Sequence, residues 1–139
     1  MLVVRQAQIA VFTARAWSDF FLTAGELLLD QHAAQMEGTP AEARRRRVRW
    51  SLLHARARGL REGDTLMLFA RCLLTYGPAF AAHPTIAEGL RTPGEADAHW
   101  RRLYAGMPDH VWRELVLLYA DEDWAAVDRD NAAGVSHGA

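Results

Sequence analysis

Six histidines, at 32, 54, 83, 99, 110 and 137, are the side chains of this chain best suited to metal or proton chemistry. A helical zinc peptidase needs two imidazoles one turn apart with a glutamate beside the first, so that ligands and base share one face. No two of the six have that i, i+4 spacing, and His-Glu-x-x-His is absent. Glu95 and His99 do stand one turn apart, with Asp109 and His110 a short way on. A carboxylate-imidazole site for a small metal-dependent helical enzyme can be written from them, against the plainer reading of a Glu-His pair on a helix surface. Nucleophilic chemistry has less to work with: Ser18, Ser51 and Ser136 lie in no Gly-x-Ser-x-Gly elbow, and no glycine-rich phosphate loop is present. Cys72 falls in an apolar helical stripe, where a thiol is buried and inert. These residues assign no catalytic group, no metal ligand and no cofactor, and the chain is read as non-enzymatic.

The strongest polar feature is the run Arg44 to Arg47 with Arg49, followed by Arg56, Arg58 and Arg61. Wound at 100° per residue, these cations do not make one basic face. Arg45, Arg49 and Arg56 fall in one strip, and Arg47, His54 and Arg58 fall in another nearly opposite. Between them run two apolar strips, Val48, Leu52 and Ala55, and Trp50, Leu53 and Ala57. A surface helix needs only one apolar strip. Either the helix is sandwiched within the fold, or Trp50 and Leu53 form an anchor edged by Arg45, Arg49 and Arg56, the composition of a protein-protein hot spot. Nucleic-acid binding is disfavoured by the split of the arginines, by a net charge of −1 and by the lack of any DNA- or RNA-reading signature. Seven acids against two arginines between Asp109 and Asp130 form the opposite pole, either drawn to the arginine helix or simply solvated.

Helical signals position all of these residues, since period-2 alternation is nowhere sustained. The spacing of Ile9, Phe12, Ala16 and Phe20 predicts a helix over 5–36, with a kink or restart at the box Thr23-Ala-Gly-Glu26. Thr39 as cap, Pro40 in first position and Glu42 predict a helix over 40–58 closed by Gly59. The next helix begins near Gly63 or Asp64, carries Leu66, Phe69, Leu73 and Tyr76 on one face, and stops at Gly77-Pro78. Shorter helices follow over 83–90, over 96–105 after the cap pattern Thr92-Pro-Gly-Glu95, and from Met107-Pro-Asp to Ala120, the last apolar on two faces. A short turn over 121–128 and a frayed tail over 131–139 complete the reading. The expectation is an all-α bundle of about five to seven helices, long first and short later, forming one domain over 1–130.

Composition agrees. A chain of 139 residues, half apolar and 24% charged, has the size and balance of one packed domain. All 16 basic residues are arginine, which fits a GC-rich coding sequence. A single cysteine excludes an internal disulfide and fits a reducing, cytoplasmic setting. Met1 to Gln6 lacks the basic and apolar blocks of a secretory signal. The most apolar stretch, 66–76, is far short of the roughly 20 residues needed to span a bilayer, so no membrane partner is expected.

Several short segments resemble a family of small uncharacterised proteins encoded beside VgrG, PAAR and effector genes in bacterial type VI secretion clusters. They are Val4-Arg-Gln-Ala-Gln-Ile9, Ala55-Arg-Ala-Arg-Gly-Leu60, Gly77-Pro-Ala-Phe80, Pro84-Thr-Ile86 and Arg102-Leu-Tyr104. The likeness covers most of 4–104 and stops after Tyr104. It implies a cytoplasmic accessory of a secreted toxin: a chaperone or adaptor that loads an effector, or an immunity protein that blocks one. The partner would be a protein, with a homodimer as the other occupant of an exposed apolar strip.

Overall fold

The computed structural model describes residues 14–91 and 94–138, with side chains over 15–91 and 94–129. Among the described residues seven α-helices follow in order: α1 (Ala14–Gln31), α2 (Ala41–Ala57), α3 (Gly63–Tyr76), α4 (Pro84–Arg91), α5 (Ala96–Gly106), α6 (Asp109–Leu118) and α7 (Asp121–Gly138). A 3-10 turn, Pro78–Ala82, joins α3 to α4, and no strand occurs among the described residues. The fold is all-α, and its first three helices, of 18, 17 and 14 residues, are longer than the next three, of 8, 11 and 10. The exception is α7, whose 18 residues run well past the short turn expected over 121–128.

Helix α3 is the axis around which the rest is packed. Leu66, Phe69, Cys72 and Leu73 face one apolar cluster with Trp17, Phe80, Ile86, Trp100, Val111 and Leu115. Ala70 and Leu74 face a second, with Ala24, Leu28, Val48, Leu52, Trp124 and Val127. Two clusters on two sides of one helix account for its nearly continuous apolar sequence. At its end Gly77 has φ 88° and ψ 171°, backbone that only glycine adopts readily, and its N–H donates to Leu73 O at 2.8 Å.

Several local expectations change. Helix α1 passes through Gly25 without a break, because Trp17, Ala24 and Leu28 stay on one buried face only in an unbroken register. Ile9 and Phe12, the start of the predicted stripe, lie outside the described residues, as do Thr92 and Pro93. Helix α2 starts at Ala41 with Pro40 in the cap position and no side-chain cap. Thr39 instead offers its carbonyl to Arg44 Nε at 2.8 Å. On α6, Val111 and Leu115 are buried while Val116, Leu117 and Leu118 are exposed, since only α3 and the 3-10 turn cover this helix substantially. No helix among the described residues is long and apolar enough to cross a membrane.

Candidate metal centre

Two helices begin with the same pattern, Glu62-Gly-Asp64 at α3 and Glu95-Ala-Asp97 at α5. Carboxylates gather at helix starts because unpaired N–H groups and the helix dipole favour negative charge there. The fold brings these two starts together. Asp97 Oδ1 accepts the N–H groups of Arg61 and Glu62, both at 3.1 Å, and the hydroxyl of Thr65, so α5 fastens the chain entering α3. Asp97 Oδ2 has only a longer contact, 3.3 Å from the Arg61 N–H.

Glu62, Glu95 and Asp97 each present an oxygen within 4.8 Å of the others. Glu62 and Asp97 are buried, at 8% and 3% exposure, while Glu95 is exposed at the rim. Arg101 lies against Glu62 Oε2 and reaches both carboxylate oxygens of Asp64, at 3.0 and 3.1 Å. Glu62 and Asp64 share Arg101, and with Glu95 and Asp97 four carboxylates crowd a partly dry place. Beside them opens a cleft of about 440 Å³ lined by Arg58, Arg61, Leu90, Gly94, Glu95 and Asp97. Three carboxylate oxygens without imidazole or thiolate are the donor set of a hard divalent cation such as Mg2+, Mn2+ or Ca2+.

This triad corrects the reading of the chain as non-enzymatic, since a plausible metal-binding group with catalytic potential is present. Of the three, only Glu95 belongs to the carboxylate-imidazole set that the sequence suggests. His99, one turn on, sits close to Gly94, and its buried Nδ1 has no hydrogen-bond partner among the described residues. His110 is exposed, and neither imidazole joins the triad. Glu62 and Asp97 escaped notice because they lie 35 residues apart and meet only in the folded chain. The repeated Glu-x-Asp at two helix starts was the available signal.

No protein-family model matches the chain. No curated protein and no solved structure matches it either. The site is therefore read from its own chemistry.

The five residues expected to bind a partner divide between three places. Arg45, Arg49 and Leu53 line a groove of about 510 Å³ between α1 and α2, together with Phe21, Leu22, Leu29, Val48 and Leu52. Leu22 is 71% exposed there and Leu53 45%. Trp50 points elsewhere: it is half-buried, stacked on His54 at 3.8 Å and edge-on to Trp124 of α7 at 5.5 Å. Arg56 lies over the Trp17 ring at 4.2 Å. Helix α2 is covered by α1, α3 and α7 and leaves Leu53 open. Arg47 ties the acidic end to this helix, 3.7 Å from Asp128 and over the Trp124 ring.

Proposed function

We propose that this chain is a small helical protein that binds a divalent cation through Glu62, Glu95 and Asp97 and uses it in metal-assisted hydrolysis of an anionic substrate. The observation that carries this reading is the convergence of three carboxylate oxygens within 4.8 Å, two of them on buried residues. A hard cation there would offset the crowded negative charge and supply a polarised water as nucleophile. Arg58 and Arg61, lining the adjoining cleft, are placed to hold an anionic group such as a phosphate ester.

Calorimetric titration of the full chain with Mn2+ and Mg2+ tests the site. One saturable site is expected, weakened about tenfold or more by Glu95→Gln, since losing one charged ligand of three removes a large part of the attraction. Glu95 is the right position to change because it is exposed, whereas Asp97 also holds backbone. No saturable binding at millimolar cation would end this reading. Saturable binding without turnover of p-nitrophenyl phosphate or its diester would leave the cation a structural role only.

A second reading has its own observation in the groove between α1 and α2, where exposed Leu22 and Leu53 are edged by Arg45 and Arg49. Apolar anchors with a guanidinium rim suit a protein partner. The chaperone, adaptor or immunity role implied by the type VI resemblance would use this surface. Co-expression with the product of an adjacent effector gene, with and without Leu53→Asp, tests it: a complex that survives the substitution would place docking elsewhere.

A further inference from the structure

A second cavity, of about 460 Å³, runs along α3 and shares no lining residue with the carboxylate cleft. Its volume falls in the range of small-molecule sites. One side is aromatic: Trp112 sits 5.5 Å from Tyr76 at 31° and 5.4 Å from Tyr104 at 75°, and all three rings line the space. Cys72 adds an apolar thiol, since burial pushes its pKa up to about 12 and keeps it protonated.

The lining carries one buried polar atom without a partner among the described residues and one exposed cation. His32 is 7% exposed, its Nδ1 is bonded to Gln35 Oε1 at 2.6 Å, and its Nε2 is buried with no hydrogen-bond partner among the described residues. With Nδ1 donating to the glutamine oxygen, neutral imidazole has a lone pair at Nε2 and calls for a donor. A buried acceptor left without a donor is costly, which makes this atom informative. Arg71 is exposed and forms no ion pair among the described residues. The cavity therefore offers a cation, an acceptor and a wall of aromatic rings.

We propose that this cavity binds a small aromatic hydroxy acid, with its carboxylate on Arg71, its ring against Trp112, Tyr76 and Tyr104, and its hydroxyl donating to His32 Nε2. The three features require three properties of one molecule: negative charge, a flat apolar body and a donor remote from the charge. A purely apolar ligand would leave both Arg71 and His32 unused. A nucleotide would bring more negative charge than one exposed guanidinium matches.

Calorimetry and tryptophan fluorescence on the full chain test this with 4-hydroxybenzoate and 4-hydroxyphenylacetate, which differ in reach. At least one is expected to bind saturably below the millimolar range. Benzoate and phenylacetate, lacking the hydroxyl, and 4-hydroxybenzamide, lacking the charge, should each bind about tenfold more weakly, the equivalent of one lost hydrogen bond to a charged or buried group. Arg71→Gln, at an exposed position that leaves the helical circular dichroism intact, should weaken the hydroxy acids by a similar factor. Absence of saturable binding by both hydroxy acids at ten-millimolar concentration, or equal binding by the variant or by the analogues, overturns the proposal.

Discussion

His54 shows how one side chain senses the packing around it. Its ring stacks on Trp50, and burial first, with the Arg58 charge second, holds the imidazole below its ordinary 6.5. A lowered folded value means that the unfolded chain takes up the proton at higher pH, so the full contribution is present above 6.5 and is lost as pH falls from there towards the folded value. We expect the melting temperature to decline between pH 7.5 and 5.5, and His54→Phe, which keeps a stacked ring without a titrating group, to flatten that slope; thermal circular dichroism across the range measures it. An unchanged slope would assign the pH response to other groups. Single residues were also where sequence reasoning reached least far into the candidate centre. Glu95 was visible because it has a histidine one turn on, but Glu62 and Asp97 gain meaning only when two helix starts meet, which no local periodicity records.

Elements were far more legible, because punctuation and period are local. Gly59 and Gly77 both adopt positive φ and close the helices they were expected to close. Gly77 carries an added constraint, since a Cβ there would lie 3.2 Å from Tyr119 Cδ2. Gly77→Ala is expected to cost about 1–3 kcal/mol, the range for a non-glycine residue held in such backbone; urea unfolding followed by circular dichroism checks it, and a loss within error would show that the turn relaxes. Expectations failed where a long-range contact outweighed a local preference. Thr23 and Glu26 looked able to restart a helix at Gly25, yet the buried register of Ala24 and Leu28 keeps α1 continuous. Trp124, packed on Trp50, likewise anchors a seventh helix where composition alone suggested a turn. His83 links elements that looked independent in the sequence: Nδ1 accepts the Thr85 N–H at 3.2 Å and Nε2 donates to Glu114 at 2.9 Å, joining the start of α4 to α6.

For the molecule as a whole, stability is concentrated around α3. Trp100 is fully buried between Phe69 and Phe80, with ring centroids at 5.0 and 6.0 Å. Trp100→Ala should cost about 3–5 kcal/mol, a large share of the roughly 5–15 kcal/mol that holds a domain of this size. Leu117, 84% exposed on α6, should tolerate alanine within about 0.5 kcal/mol. Chemical denaturation of both variants reads the contrast, and equal losses would contradict the burial pattern.

Asp97 is the meeting point of these scales, since one carboxylate grips the main chain ahead of α3 and also borders the acidic cleft. A change of charge on that side chain bears directly on Arg61, Glu62 and Thr65, since all three donate to it. The same carboxylate therefore belongs both to a surface crevice and to the first turn of the innermost rod of the molecule.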